Sequence, residues 1–108
     1  MARTNGHIAK FRIAPGRRAE AIEMLKPMFS QVAKEPGALL YVMHLPESDP
    51  DTIWFYERYA DDSAFEIHSS SAAHDKGLED LLTVIDAPWE LHWLNLEFGK
   101  GLPSPKQD

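Results

Sequence analysis

The sequence predicts a single α+β sandwich with the element order βαββαβ, an antiparallel sheet and helices on one face. Apolar residues alternate with a period of two in four short segments, and they recur every three or four residues in the stretches between those segments. Prolines and glycines separate the segments. A length of 108 residues suits one domain, which we place at residues 1–98 with a flexible or partner-contacting tail at 99–108.

The first third of the chain predicts a strand followed by a helix. Residues 6–13 alternate between apolar and polar side chains and form the first strand, which the Pro15-Gly16 pair ends. Residues 17–34 carry apolar side chains at helical spacing. Pro27 lies inside this pattern, so we expect the helix to be kinked there or split one residue earlier.

The middle of the chain predicts a β-hairpin. Residues 38–45 form its first strand, 46–51 its polar loop, and 52–59 its second strand, which is rich in aromatic and β-branched residues. Alternation puts Ile53, Phe55, Glu57 and Tyr59 on one face of the second strand and Trp54, Tyr56 and Arg58 on the other. Because both faces are largely apolar, we expect the first to pack on helices and the second on another subunit.

The last third predicts two short helices and a strand. Asp61 or Asp62 caps a helix that runs through His68, and a serine run then interrupts it. A second helix covers residues 72–85, and residues 89–96 form the fourth strand. This order is the split βαβ pattern of a ferredoxin-like sandwich, whose uncovered sheet face is available for dimerisation.

Composition excludes several classes of function. There are 11 basic against 17 acidic residues, a net charge of −6, which argues against binding a nucleic-acid backbone. No cysteine is present, so disulfides and thiolate chemistry are excluded. No apolar run approaches the ~20 residues that span a bilayer, and the first residues lack the pattern of a signal peptide. We therefore expect a cytoplasmic protein that binds no membrane.

Several short segments carry a family resemblance: residues 35–41 (EPGALLY), 54–61 (WFYERYAD), 64–68 (AFEIH), 71–74 (SAAH) and 11–16 (FRIAPG). Together they make residues 7–98 similar to the antibiotic biosynthesis monooxygenase domain family. The resemblance implies a homodimer whose two sheets face each other as an α+β barrel. It also implies one of several activities, among them cofactor-free oxygenation of phenolic compounds, oxidation of small quinols, haem degradation and isomerisation.

Glu57 and His68 are the candidate catalytic residues. Glu57 lies on the apolar, helix-facing side of its strand, and helical register turns the His68 ring toward the same side. A Glu57–His68 hydrogen bond would fix the imidazole tautomer and make His68 a general base. The resemblance associates the matching histidine with the ligand site. The alternative is a purely structural hydrogen bond that closes the sandwich.

Five further residues are candidates for substrate binding. An aromatic cleft with few polar groups suits a flat phenolic ligand. Tyr59 and Trp93 are predicted as its walls, and His74, which follows His68 by six positions where the family often has five, as a residue at its rim. The remaining candidates are Phe11 and Phe65, whereas Trp54 and Tyr56 are assigned to the dimer interface.

No cofactor or metal is predicted. The glycines form no Gly-x-Gly-x-x-Gly motif, and the histidines match no metal-ligand spacing. The three places where the haem-degrading branch carries its functional residues hold Ala9, Tyr59 and Leu78 here. The leading hypothesis is a cofactor-independent monooxygenase of a hydroquinone or phenol. A non-enzymatic dimer that binds a small hydrophobic metabolite, and an isomerase with the same histidine and glutamate, remain open.

Overall fold

A computed structural model describes residues 6–101 as one antiparallel sheet with three helices on one face. The strand order is β2-β3-β1-β4, so β1 and β3 are central and β4 is an edge strand. The elements in chain order are β1 (Gly6–Arg12), α1 (Arg18–Val32), β2 (Ala38–His44), β3 (Thr52–Tyr59), α2 (Asp62–Ser69), α3 (Ala72–Leu82) and β4 (Glu90–Leu94). The predicted ferredoxin-like α+β fold is confirmed.

The register of the strands assigns each side chain to a sheet face. His7, Ala9 and Phe11 of β1 stand opposite Glu57, Phe55 and Ile53 of β3, and these six residues point toward the helices. We call this side of the sheet the inner face. The outer face carries the alternate residues, among them Ile8, Leu40, Val42, Trp54 and Tyr56. The predicted division of β3 between its two faces is therefore confirmed.

The core lies between the inner face and the helices. Ile13 and Ile53 from the sheet are completely buried, and Leu25 of α1 and Leu81 of α3 are each only 1% exposed. Each such side chain contributes roughly 1.5–3 kcal/mol through burial of apolar surface. This packing holds α1 and α3 against the sheet and so sets the width of the layer in which the site lies.

Helix α1 continues through Pro27, so of the two outcomes predicted there, a kink or a split, the split does not occur. A proline inside a helix removes one hydrogen bond and costs about 3 kcal/mol. The buried stripe of Ala21, Leu25 and Met28 spans both sides of the proline. Packing of this stripe on the core outweighs the local penalty, because tertiary burial supplies most of the stability of a short helix.

The other boundaries differ from the predictions only at element ends. Helix α3 ends at Leu82, before the predicted residue 85, because Ile85 pairs with Ile13 in an isolated β-bridge. Strand β4 is shorter than predicted. Most of the predicted tail, residues 102–108, lies outside the described residues. Within residues 6–101 no helix has the length and apolar character needed to cross a membrane.

Candidate functional site

A cavity of about 180 Å³ lies between the inner face and the three helices. Every element of the sandwich supplies part of its lining, which is mostly aliphatic and aromatic with a few polar groups. The lining residues are His7, Ala9, Phe11, Leu25, Met28, Tyr41, Phe55, Glu57, Phe65, His68, Ser69, His74, Leu78, Leu81, Trp89 and Leu91. An apolar cavity with few convergent polar groups has the character of a small-molecule site.

His68 occupies the centre of this cavity wall and is 2% exposed. Helix α2 positions it, and that helix begins where the Asp61 carboxylate accepts a hydrogen bond from Ala64 N at 2.9 Å, as predicted for an aspartate cap. The imidazole lies 5.1 Å from the Tyr41 ring and 5.4 Å from the Tyr59 ring, measured between centroids. The sheet therefore holds the ring on one side while α2 holds its backbone on the other.

Glu35 is the hydrogen-bond partner of His68. Its Oε1 lies 3.0 Å from His68 Nδ1, and its Oε2 accepts a hydrogen bond from Gln31 Nε2 at 3.0 Å. Glu35 is itself buried. The turn that carries Glu35 approaches α2 closely at Gly37, where a β-carbon would collide with Ala64. A residue other than glycine there would push the turn, and with it Glu35, away from His68.

The surroundings of His68 keep its imidazole neutral. Burial lowers the pKa of His68 below its ordinary value of 6.5, against the opposing effects of the Glu57 charge and of the Glu35 hydrogen bond and charge. A carboxylate accepts hydrogen bonds, so the contact with Glu35 assigns the proton to Nδ1. The lone pair is then on Nε2. His68 consequently has the form of a general base.

Glu57 is the centre of a second hydrogen-bond cluster on the inner face. Its Oε1 accepts a hydrogen bond from the Tyr59 hydroxyl at 2.5 Å and lies 3.1 Å from His7 Nε2. The same oxygen is 3.9 Å from His68 Nε2, too far for a hydrogen bond. The two side chains predicted as a pair are thus within ion-pair distance, but they do not form the hydrogen bond that would fix the imidazole tautomer. Glu57 acts on His68 through its charge, and Glu35 is the carboxylate that orients the ring.

The two tyrosines near the cluster remain protonated phenols. Burial raises the pKa of Tyr59 far above its ordinary value, and the nearby Glu57 carboxylate raises it further. The same two causes raise the pKa of Tyr41. Since neither tyrosine ionises near neutral pH, Tyr59 donates a hydrogen bond to Glu57 and does not serve as a base.

Three of the five predicted substrate-binding residues line the cavity: Phe11, Phe65 and His74. His74 lies in the first turn of α3, where its backbone N–H is capped by the Ser71 hydroxyl at 3.1 Å, and its ring centroid is 5.0 Å from that of His68. Tyr59 and Trp93 do not line the cavity, so their prediction as its walls is wrong. The Tyr59 hydroxyl is turned to Glu57, and Trp93 packs behind His7 and Phe65 at 4.8 and 5.1 Å.

His7 and Glu35 are the two site residues that the sequence reasoning missed. His7 continues the alternation of Ala9 and Phe11 by one step, so its inward direction was readable from the sequence. Glu35 follows a helix and precedes a turn, a position with no periodic signal. Its contact with His68 joins residues 33 positions apart, and only the folded chain reveals it.

Within residues 6–101 no group of three or more histidine, aspartate or glutamate side chains has a geometry suited to holding a metal ion. The polar groups of the cavity are instead joined in pairs. Glu35 is hydrogen-bonded to His68, and Glu57 accepts a hydrogen bond from Tyr59 and lies within ion-pair distance of His7. This arrangement can take a proton from a bound ligand and can hydrogen-bond its polar atoms.

The fold agrees with one family of proteins. The model of the antibiotic biosynthesis monooxygenase family matches residues 6–80, and the chain belongs to that family. The resemblance seen in the sequence motifs is thereby confirmed. None of the curated proteins matches the chain.

Several solved structures that carry the family's name have the same fold. One from Caulobacter crescentus has a TM-score of 0.80 at 19% identity, covering 87% of this chain and 90% of its own. One from Nitrosomonas europaea has a TM-score of 0.79 at 15% identity, covering 96% of both chains. A third, from Chloroflexus aurantiacus, is 25% identical with a TM-score of 0.70, covering 91% of this chain and 97% of its own. These structures support the fold, and they leave the substrate open.

Proposed function

We propose that the protein is a cofactor-independent monooxygenase that oxidises a hydroquinone or phenol with dioxygen. One observation carries this proposal: a neutral, buried imidazole, held by Glu35 through Nδ1, presents its Nε2 lone pair in an aromatic cavity. Removal of a phenolic proton is the step that such a base performs. The family to which the chain belongs supplies the expectation that the resulting anion reacts with oxygen.

The reaction balances without an external reductant. His68 Nε2 takes the phenolic proton, and the electron-rich phenolate then transfers electrons to dioxygen in the apolar cavity. A new C–O bond forms at a ring carbon that bears hydrogen, and the O–O bond breaks. The ring loses two hydrogens, gains one oxygen and gives up four electrons. The second oxygen atom takes the phenolic proton back from His68 together with the ring proton and leaves as water.

The size of the cavity favours a ligand with one aromatic ring. Its volume is about 180 Å³, and an apolar cavity of roughly 150 Å³ is known to accommodate benzene. Phe11 and Phe65 provide flat surfaces, and Leu78 and Leu81 close the helix side. Such an apolar lining lowers the local dielectric constant, which strengthens the interaction of the phenolate with its polar neighbours.

We also propose that a second copy of the chain covers the outer face. Trp54, Tyr56, Ile8, Leu40 and Val42 form a contiguous apolar area there, and no helix of residues 6–101 packs on it. All five side chains are only partly buried. Contiguous apolar surface of this kind is typical of a protein interface, and a twofold dimer would bury both copies at once.

Oxygen consumption tests the proposed activity. The metal-stripped protein is mixed with a panel of hydroquinones, phenols and naphthols beside His68→Ala and the control Glu66→Ala, whose side chain is exposed on the same helix. Uptake that depends on His68 and not on Glu66 supports the monooxygenase. Binding without uptake identifies a binding module, and turnover of the ligand without air identifies an isomerase.

A further inference from the structure

His7 is a buried titratable residue that the proposed reaction does not use. It is the first inward-pointing residue of β1, and its side chain is 7% exposed. Its Nε2 lies 3.1 Å from Glu57 Oε1, and the negative charge of this oxygen favours the tautomer with the proton on Nε2. The lone pair of the neutral ring is then on Nδ1.

His7 Nδ1 has no hydrogen-bond partner among residues 6–101, although it is buried. Buried polar atoms are almost always bonded, because leaving one unsatisfied costs the free energy of its lost hydration. The ring cannot readily turn to find another partner. The Trp93 ring stands at 4.8 Å on one side and the Phe65 ring at 5.9 Å on another, both edge to face.

His7 is one of the residues that line the cavity, so a bound ligand is the available partner for Nδ1 once the neighbouring Phe65 ring shifts to admit it. His74 Nδ1 also lacks a hydrogen bond, but its side chain is 25% exposed and Asp75 Oδ1 lies 3.6 Å away. The case for a missing hydrogen-bond partner is therefore strongest at His7, whose side chain is more deeply buried.

We propose that His7 Nδ1 accepts a hydrogen bond from a second hydroxyl group of the ligand and so selects rings with two hydroxyls over rings with one. His7 Nε2 and His68 Nε2 flank the same Glu57 oxygen, at 3.1 and 3.9 Å. The two imidazoles thus belong to one polar cluster, one as the base and the other as an anchor. This inference rests on the proposed function in taking the cavity as the substrate site.

Two substitutions separate the roles of the two nitrogens of His7. In His7→Asn the side-chain amide takes the place of Nδ1 but does not reach Glu57. In His7→Gln the amide reaches the place of Nε2 and keeps the contact with Glu57, but nothing polar remains at Nδ1. Both variants have a neutral side chain, so they differ mainly in the position of the polar group.

The test is the affinity for hydroquinone relative to 4-methoxyphenol, measured by calorimetry without oxygen. The methyl ether keeps the ring and both oxygens but lacks the second hydroxyl proton. We expect the wild type and His7→Asn to bind hydroquinone about tenfold more tightly, the effect of one hydrogen bond to a buried atom, and His7→Gln to lose this preference. The proposal is overturned if the wild type shows no preference for hydroquinone. It is also overturned if both variants lose this preference or if neither variant loses it.

A measurement on the unaltered protein covers the case in which a variant does not fold. In protein with ¹⁵N-labelled histidine, hydroquinone should shift the Nδ1 resonance of His7 and 4-methoxyphenol should not, and equal shifts would contradict the assignment. Both experiments exclude oxygen, so they report on His7 whether or not the protein is an oxygenase. Failure of the proposed activity leaves their outcome unaffected.

Discussion

The two faces of the sheet use alternate residues of the same strands, yet they differ in what covers them. On the inner face, helices bury Glu57, His7 and the rest of a polar cluster among aromatic rings. On the outer face, the apolar side chains of Trp54 and Tyr56 are only partly buried, and no helix of residues 6–101 packs on them. The covered face thus holds a polar cluster inside an apolar core, whereas the uncovered face leaves large apolar side chains only partly buried.

The inner face is therefore the place of the proposed chemistry, and the outer face is the place where a second subunit is proposed to bind. Burial of the inner cluster sets the protonation state of His68, whereas exposure of the outer apolar area creates a requirement for a partner. One exception sharpens the distinction. Arg58, on the outer face, is buried and donates a hydrogen bond to Leu94 O at 3.3 Å, so that end of the outer face is already closed within one chain.

The largest expected effect comes from placing a charge on the outer face. Trp54→Lys or Tyr56→Lys should give unfolded or aggregated protein, because the proposed dimer would bury these side chains and would supply much of the stability of a chain of this size. Light scattering and circular dichroism measure the outcome. Glu47→Lys in the exposed hairpin loop is the control and should remain a folded dimer. A well-folded monomer from either face variant would show that the outer face is not an obligate interface.

On the inner face, removal of the base should abolish most activity without loss of the fold. We expect His68→Ala to lower the rate of oxygen uptake roughly 10²–10⁴-fold, the usual contribution of a general base. Glu66→Ala should retain the wild-type rate. Equal rates in the two variants would mean that the base lies elsewhere in the cavity.

Glu35→Gln should have a smaller effect, since it leaves the imidazole in place but removes the charge that fixes its tautomer. We expect kcat to fall about tenfold or more with little change in KM. Glu35 raises the pKa of His68 through its hydrogen bond and charge, so the acid limb of the pH–rate profile should move to lower pH in this variant. An unmoved profile would assign Glu35 a structural role only.

The smallest effect is on stability at mildly acidic pH. Because burial lowers the pKa of His68 in the folded state, the unfolded chain binds more protons as the pH falls below the ordinary value of 6.5. The free energy of unfolding should therefore decrease below that pH, until the pH passes the folded-state pKa. Urea unfolding at pH 7 and pH 5 should show a smaller decrease for His68→Gln than for the wild type. An equal decrease would place the titrating group elsewhere.

The fold was largely predictable because it depends on local periodicity. The alternation along β3 separated its two faces correctly, and the same alternation directed Glu57 inward. The split predicted as one outcome at Pro27 does not occur, because the penalty of the proline is local whereas the burial that offsets it comes from the rest of the core. Element ends were the remaining errors, set by pairings such as Ile13 with Ile85.

The site was only partly predictable because its geometry depends on distances between elements. His68 and Glu57 do face the same space, but a gap of 3.9 Å separates their nearest polar atoms. The carboxylate within hydrogen-bond distance, Glu35, comes from a turn whose approach to α2 depends on Gly37. Likewise, Trp93 lies on the inner face as its strand register requires, yet His7 and Phe65 stand between it and the cavity.

The state of the His68 imidazole is the most direct test of this account, because it requires no substrate. The ¹⁵N chemical shifts of labelled histidine distinguish the two neutral tautomers from the imidazolium ion. At pH 7 we expect His68 to be neutral, with its proton on Nδ1 toward Glu35 and the lone pair on Nε2. A neutral ring protonated on Nε2, or an imidazolium ion, would contradict the assignment of His68 as the base.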